Sequence, residues 1–242
     1  MRALHLLDLT LPTPEENLAL DEVLLDELDE KDGDPVLRFW ESDRLFVVLG
    51  AACRPVHDVH LAACEQDGVP VLRRASGGGT VLQGPGCLSY AFVLPIQLHP
   101  SLANIRSTNR FILDRIAGAL HRWEPAVTFR GISDLAIGEM KISGNAQRRM
   151  RRSLLFHGTI LHGMPADIIA RYLMHPSRQP DYRKNRPHDS FLRTLDVPSQ
   201  DIKRAIAEAW PIGPSLTPWP EARMRNKIPE IIRRSLPEQT RA

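Results

Sequence analysis

The run RRASGGGTVLQGPGCLSY, from Arg73 to Tyr90, gathers residue types that can hold an anion. Gly77, Gly78 and Gly79 have no side chains, so their backbone can bend freely and bring its N–H groups within hydrogen-bond distance of a ligand. Arg73 and Arg74, just before them, carry forked donors that match phosphate oxygens. Further along, Lys141 opens the run KISGNAQRR, and LLFHGTIL holds His157, Gly158 and Thr159. A glycine loop followed by a strand-borne lysine suits a phosphate-containing ligand. Several familiar anion and nucleophile motifs are excluded by spacing. There is no GxxxxGK followed by Ser or Thr, no GxGxxG after a first strand, and no GxSxG elbow.

These groups need a scaffold, and hydrophobic periodicity supplies one. Leu4 to Leu11 reads as a first strand. Thr13-Pro14-Glu15-Glu16 then combines an N-cap, a proline at the first helical position and Glu three after the cap, so a helix is expected through about Leu28. Its apolar face is Leu18, Val23, Leu25 and Leu28, and its acidic face is expected to be solvated. Val36 to Trp40 and Leu45 to Leu49 read as strands, and His57 to Asp67 as a helix stopped by Gly68. Val71-Leu72 and Tyr90 to Leu94 flank the glycine run as strands, so the glycines form a loop anchored at both ends in a sheet.

Ser101 to Trp123 is predicted helical, Ala126 to Phe129 a short strand, and Leu135 to Ile142 a tight hairpin turning at Gly138, which presents Lys141 on a strand. Leu154 to Leu161 reads as an apolar strand broken by His157-Gly158-Thr159. Arg148, Arg149, Arg151 and Arg152 before it read as a solvated loop, or as a dock for an acidic partner domain. Pro165 to Leu173 and Ser199 to Trp210 are helical, with an Arg-rich loop from Pro176 to Pro187 between them. After the prolines 211, 214, 218 and 220 a short basic helix is expected from about Pro229 to Leu236.

Composition narrows the class. The 242 residues are 43% hydrophobic and 25% charged, ordinary for a globular chain. No apolar run approaches the ~20 residues of a membrane span, and charge interrupts the N-terminus too early for a secretory signal, so no membrane role and a cytoplasmic location are expected. A net charge of +2 with 6% aromatics argues against nucleic-acid binding. Cys53, Cys64 and Cys87 show no CxxC spacing, which argues against a zinc site and a disulfide framework. His57 and His60 read as helix-surface residues, since no third metal ligand is evident.

Taken in order, RRASGGGTV, KISGNAQRR and LLFHGTIL resemble the biotin/lipoate A/B protein ligase family, and within it the lipoate-protein ligase A branch. The resemblance covers roughly Leu4 to Trp210 and includes Asn17 to Glu22 and Ser133-Asp134-Leu135. It implies an α/β (α+β) fold with a mixed sheet flanked by helices, of the biotinyl/lipoyl ligase and class II synthetase-like type. Residues 1–210 would form the catalytic domain and 211–242 a Pro-rich extension. It further implies that lipoate or octanoate is activated with ATP and Mg as an acyl adenylate, then passed to a lysine of a lipoyl carrier domain or a glycine cleavage H protein type acceptor. Lys141 matches the family's functional lysine. Arg73, Arg74, Ser76, Gly77, Gly78, Gly79, Ser143, Gly144, His157, Gly158 and Thr159 fall in the matching motifs, and Asp134 matches a position near nucleotide and metal.

The chain departs from the ligase pattern in three places. Gln83-Gly84-Pro85-Gly86 stands where ligases usually carry His-Asp, and this GPG is similar to related octanoyltransferases, which use a cysteine nucleophile and acyl carrier protein as donor. At the two nucleophile positions known for those transferases this chain has Leu154 and the cysteine-free stretch Ala126 to Ser133, which leaves Cys87 as an alternative nucleophile. Many full ligases also carry a C-terminal accessory domain, so a separate accessory subunit is a candidate partner. A cysteine-dependent octanoyltransferase or amidotransferase and a catalytically silent acyl-binding partner thus stand beside the ligase reading.

Overall fold

The computed structural model describes residues 2–31, 33–176 and 178–235. Its strands are β1 Leu4–Asp8, β2 Val36–Trp40, β3 Phe46–Leu49, β4 Val71–Arg73, β5 Val81–Gln83, β6 Cys87–Pro95, β7 Val127–Arg130, β8 Asp134–Ile137, β9 Met140–Arg149, β10 Ser153–Leu161 and β11 Ile212–Ser215. The helices are α1 Pro14–Glu30, α2 Pro55–Asp58, α3 Leu61–Gln66, α4 Ile105–Leu120, α5 Ala166–Tyr172, α6 His188–Phe191, α7 Ser199–Glu208 and α8 Glu221–Ser235. Eight strands form one mixed sheet in the order β11-β1-β2-β6-β10-β9-β8-β7, and β4-β3-β5 form a second, three-stranded sheet.

Period-two alternation explains how the layers stack. On β6, Leu88, Tyr90, Phe92 and Leu94 join the core under α4 and α7, while Ala91 and Val93 join the core under α1 and α8. The small sheet shares that second core through Phe46, Val48 and Leu72. It turns Val47, Leu49 and Leu82 towards a third core with α3 and α5. The expected mixed sheet flanked by helices is therefore present.

The capping box forms as read: Glu16 N donates 3.3 Å to Thr13 Oγ1, and Thr13 N donates 2.9 Å to Glu16 Oε2. Five expectations need correction. The α1 acidic face is not merely solvated. Asp21 is buried against Arg38 at 2.6 Å, Glu22 against Arg234 at 2.6 Å, and Asp29 Oδ1 accepts from the backbone of Arg152 at 2.8 Å. The helix expected from His57 to Asp67 splits into α2 and α3. Val59 caps α2, its N–H still donating to Pro55 O, but its extended backbone bridges to Leu173 and so does not continue the helix.

β10 runs unbroken through His157-Gly158-Thr159, because those residues pair with both Ala91-Tyr90-Ser89 of β6 and Ala146-Asn145-Gly144 of β9. A Cβ at Gly158 would collide with the Asn145 carboxamide, so glycine here permits close strand contact rather than a break. The arginine cluster is also less free than expected. Arg148 and Arg149 belong to β9, Arg149 Nη2 donates 2.6 Å to Leu102 O, and Arg152 Nε donates 3.0 Å to Asp29 O.

The C-terminal helix starts earlier than expected, at Glu221, and contains Pro229; the expected end at Leu236 lies outside the described residues. Residues after Trp210 pack on the main body. β11 pairs in parallel with β1, and Met224 and Ile231 of α8 are buried in the α1 core. Among the described residues no helix is long and apolar enough to cross a membrane.

Candidate functional site

The glycine loop spans the short chain between β4 and β5, which lie on opposite sides of β3. To cross β3 the backbone must turn sharply, and Gly78 does so at φ +89, a left-handed conformation that side chains disfavour. A Cβ on Gly50 would meet the Gly78 carbonyl, so glycine is needed there as well. Arg74, 7% exposed, sits inside the turn. Its Nη2 donates 2.8 Å to Gly77 O and 2.8 Å to Gly79 O, and its Nε donates 3.0 Å to Ser76 Oγ. Gly77 O turned inwards points the Gly78 N–H of the same peptide plane the other way, and the N–H groups of Gly77, Gly78 and Gly79 donate to no other described residue. A buried guanidinium behind these unengaged amides makes an electropositive rim. Burial also lowers the Arg74 pKa to about 10.

Arg73 faces elsewhere. Its Nη1 donates to the carbonyls of Gly50, Ala51 and Cys53 at 3.1, 3.2 and 2.7 Å, and it does not line the cavity described next. Its backbone is held by α8: Arg73 N donates 2.9 Å to Ser235 Oγ, and Arg234 Nε donates 3.0 Å to Arg73 O. Arg234 also grips Glu22, whose Oε1 accepts 3.1 Å from Ala75 N. The entrance to the glycine loop is thus tied to α1 and α8 together.

A cavity of about 360 Å³ lies beside the loop. Leu18, Trp40, Val48 and Val81 give it an apolar side, drawn from α1, β2, β3 and β5. Gly78, Gly79 and Arg74 form the next part, and Asp134, Lys141, Gly144, His157, Gly158 and Thr159 line it from β8, β9 and β10. The remaining side comes from the irregular chain between α5 and α6, through Pro176, Arg178, Arg183 and Phe191 of α6. An apolar recess leading to a cationic, amide-rich mouth suits an acyl chain with an acidic head.

Lys141 Nζ lies 2.8 Å from Asp134 Oδ1, with the two side chains 24% and 8% exposed. The other Asp134 oxygen accepts a 2.8 Å hydrogen bond from Tyr182 OH. Burial and the Asp134 charge raise the Tyr182 pKa, so its phenol stays a donor. A Cβ on Gly144 would sit 2.8 Å from Lys141 Nζ, so this glycine clears the path of the lysine. His157 Nε2 and Ser76 Oγ share a 2.6 Å hydrogen bond. Burial, reinforced by Arg74, lowers the His157 pKa to about 3 and keeps the ring neutral.

The sequence-predicted residues Lys141, Asp134, Arg74, Gly78, Gly79, Gly144, His157, Gly158 and Thr159 therefore converge on one cavity. Ser76 borders a small recess next to it with Arg74 and His157. Gly77 is exposed at the loop tip, and Ser143, 1% exposed, accepts 3.1 Å from Asn145 Nδ2. Cys87 is 1% exposed and outside the cavity lining, and burial pushes its thiol up to about 12. Among the described residues no group of three or more His, Cys, Asp or Glu is arranged to hold a metal ion.

Sequence reasoning passed over Trp40, Asn145, Tyr182, Arg183 and Phe191. Asn145 lay inside the quoted KISGNAQRR run. Here its carboxamide accepts from Tyr90 OH and donates 2.8 Å to Ser133 O, which locks β8, β9 and β6 together. Trp40 reads from the sequence only as the end of a strand, and Tyr182, Arg183 and Phe191 carry no motif or periodicity that marks them.

Residues 13–209 match the model of the lipoyl protein ligase A/B catalytic domain. Over 220 residues the chain is 33% identical to an octanoyltransferase LipM of Carboxydothermus hydrogenoformans, covering 82% of this chain and 80% of that protein. Over 157 residues it is 33% identical to a probable lipoate-protein ligase A of Mycoplasma genitalium, covering 65% of this chain and 45% of that one, so it spans about half of that relative. In fold it is similar to a lipoate-protein ligase A bound with ATP, with a TM-score of 0.78, 20% identity and 95% of each chain covered. A bi-partite lipoate protein ligase from Thermoplasma acidophilum gives a TM-score of 0.79 at 21% identity, over 95% of this chain and 93% of that one. On the extent of the family match, this chain belongs to the lipoyl protein ligase A/B catalytic domain family, which holds both lipoate-protein ligases and octanoyltransferases.

Proposed function

We propose that this protein is a lipoate-protein ligase that activates lipoate or octanoate with ATP and transfers the acyl group to a lysine of a lipoyl acceptor domain. The observation that carries this reading is the cavity lining: it holds Lys141 together with Gly78 and Gly79, and it holds no cysteine among the described residues. In the first step a carboxylate oxygen of the acid bonds to the α-phosphorus of ATP, the bond to the β-phosphate oxygen breaks, and pyrophosphate leaves. In the second, the acceptor amine bonds to the acyl carbon, the acyl–phosphate bond breaks with AMP as leaving group, and the amine loses a proton.

Lys141 and the glycine amides meet the charge that develops on the acyl and phosphate oxygens without having to reorganise. Arg74 acts from behind the loop as a positioning residue, and Asp134 with Tyr182 aims Lys141. Leu18, Trp40, Val48 and Val81 receive the acyl chain. Magnesium would arrive with the nucleotide phosphates, and Asp134 is a carboxylate of the cavity lining that could meet it. In the acceptor complex, docking charge falls to Arg148 and Arg151, since Arg149 and Arg152 are engaged within the fold. The relative from Thermoplasma acidophilum is described as bi-partite, which supports an accessory subunit as a further partner for this chain.

The second reading is transfer from acyl carrier protein through a cysteine. It is favoured by the LipM relative and by Gly84-Pro85-Gly86. Its candidate nucleophile Cys87 is buried, whereas half-buried Cys53 donates 3.4 Å to Gly78 O at the loop; neither thiol lines the cavity. Incubation with octanoate, ATP and magnesium followed by hydroxylamine separates the two. A hydroxamate accompanied by equimolar pyrophosphate supports the ligase, whereas a thioester on the protein after exposure to acyl carrier protein, with no pyrophosphate from ATP, supports the transferase.

A further inference from the structure

Arg183 ends a short 3-10 turn, Asp181–Arg183, in the irregular chain between α5 and α6. It is 5% exposed and lines the cavity together with Phe191. Its Nε donates 2.9 Å to Arg186 O, and its guanidinium carbon lies 4.6 Å from the Phe191 ring centroid, so ring and carbonyl together fix the plane of the fork. Nη2 is buried with no hydrogen-bond acceptor among the described residues. Arg38, Arg130 and Trp210 each hold one such atom as well, but none of them lines the cavity.

A buried guanidinium with an unmatched N–H is costly, and burial holds the Arg183 pKa below the ordinary arginine value. The nearby carboxylate does not relieve it, because Asp134 is already engaged by Lys141 and Tyr182. The segment is nonetheless fastened beside the lysine. Leu192 bridges to Lys141 across the backbone, and Arg193 N donates 2.9 Å to Lys141 O. A planar fork in the cavity wall, its plane fixed by Phe191 and Arg186 O, matches two oxygens of one phosphate better than it matches an acyl chain.

The geometry points to Arg183 as the residue that grips a phosphate of the bound nucleotide, leaving Lys141 for the acyl carboxylate. This rests on the ligase reading above, because a transferase has no nucleotide to hold. Phe191 is then a positioning residue that keeps the guanidinium flat.

The test is isothermal titration of ATP with magnesium, and separately of lipoate, into the full chain as wild type, Arg183→Met and Arg183→Lys, with thermal midpoints recorded for each. ATP affinity is expected to fall about ten-fold or more in Arg183→Met and by less in Arg183→Lys, with lipoate affinity within about two-fold in both. Unchanged ATP affinity in Arg183→Met overturns the assignment while the ligase reading stands. Equal loss of both ligands with a lowered midpoint in both variants also overturns it, in favour of a structural role. Wild type that binds lipoate but no ATP removes the ligase reading and this assignment with it.

Discussion

Lys141 Nζ and Asp134 Oδ1 are 2.8 Å apart on neighbouring strands, and Tyr182 holds the second oxygen of the same carboxylate. The lysine therefore stands in the cavity with its direction set before any ligand arrives. Replacing Lys141 by Ala is expected to lower pyrophosphate release by about 10²–10³-fold, the range for losing one preorganised donor, while the thermal midpoint changes little. Asp134→Asn keeps the shape but weakens the aim, and a smaller loss is expected. Wild-type pyrophosphate release by Lys141→Ala would remove the lysine from the chemistry.

Gly77 and Gly78 offer a matched pair. A Cβ on Gly78 would lie 2.9 Å from Arg74 Nη2 and 3.4 Å from Ala146 Cβ at φ +89, whereas a Cβ on Gly77 meets nothing within 4 Å. Gly78→Ala is expected to destabilise by roughly 1 kcal/mol or more and to cut turnover sharply, and Gly77→Ala to do neither. Urea unfolding and steady-state acylation of the two variants check this. Equal behaviour of the pair would mean that loop geometry is not what the site depends on.

The tie from α8 to the glycine loop makes a prediction far from the cavity. Arg234→Ala leaves Glu22, with its side chain 6% exposed, without its cation, and costs about 3 kcal/mol. It also releases Arg73 O and so loosens the entrance to the loop. Loss of stability with a raised KM for the acid is expected, and Glu22→Gln in the same chain should restore part of the stability. Denaturant midpoints and KM values decide it.

His157 and His188 give the pH dependence a sign. Burial lowers their pKa values to about 3 and about 4, so the unfolded chain binds more protons than the folded one below the ordinary histidine value of about 6.5. Stability is full above about pH 6.5 and falls as the pH drops towards 4. His157→Gln is expected to flatten this slope between pH 6.5 and 5, measured by denaturation at each pH. An unchanged slope would mean that His157 is not buried neutral.

Much of this arrangement was legible from local signals. The capping box at Thr13, the hairpin at Gly138 and the apolar run of β6 each follow from residues close in sequence, and the hairpin suffices to place Lys141 on a strand. What depends on distant partners was not legible. The acidic face of α1 looks solvated until Arg38, Arg152 and Arg234 are brought against it. Val59 looks helical until Leu173 pairs with it. Arg74 reads as a ligand-facing cation, yet its donors turn into the loop and shape it. Tyr182, Arg183 and Phe191 come from a segment with no periodicity, and contacts distant in sequence, the Leu192 bridge to Lys141 and the Tyr182 bond to Asp134 among them, carry them to the cavity.

The most direct test of the account is the intact mass of an apo lipoyl acceptor domain after incubation with the full chain and one of two donors. Free octanoate or lipoate with ATP and magnesium is expected to add one acyl group to the acceptor lysine, and Lys141→Ala is expected to abolish the addition. Acylation from octanoyl acyl carrier protein without ATP, with none from the free acid, would contradict the ligase reading and establish the transferase instead.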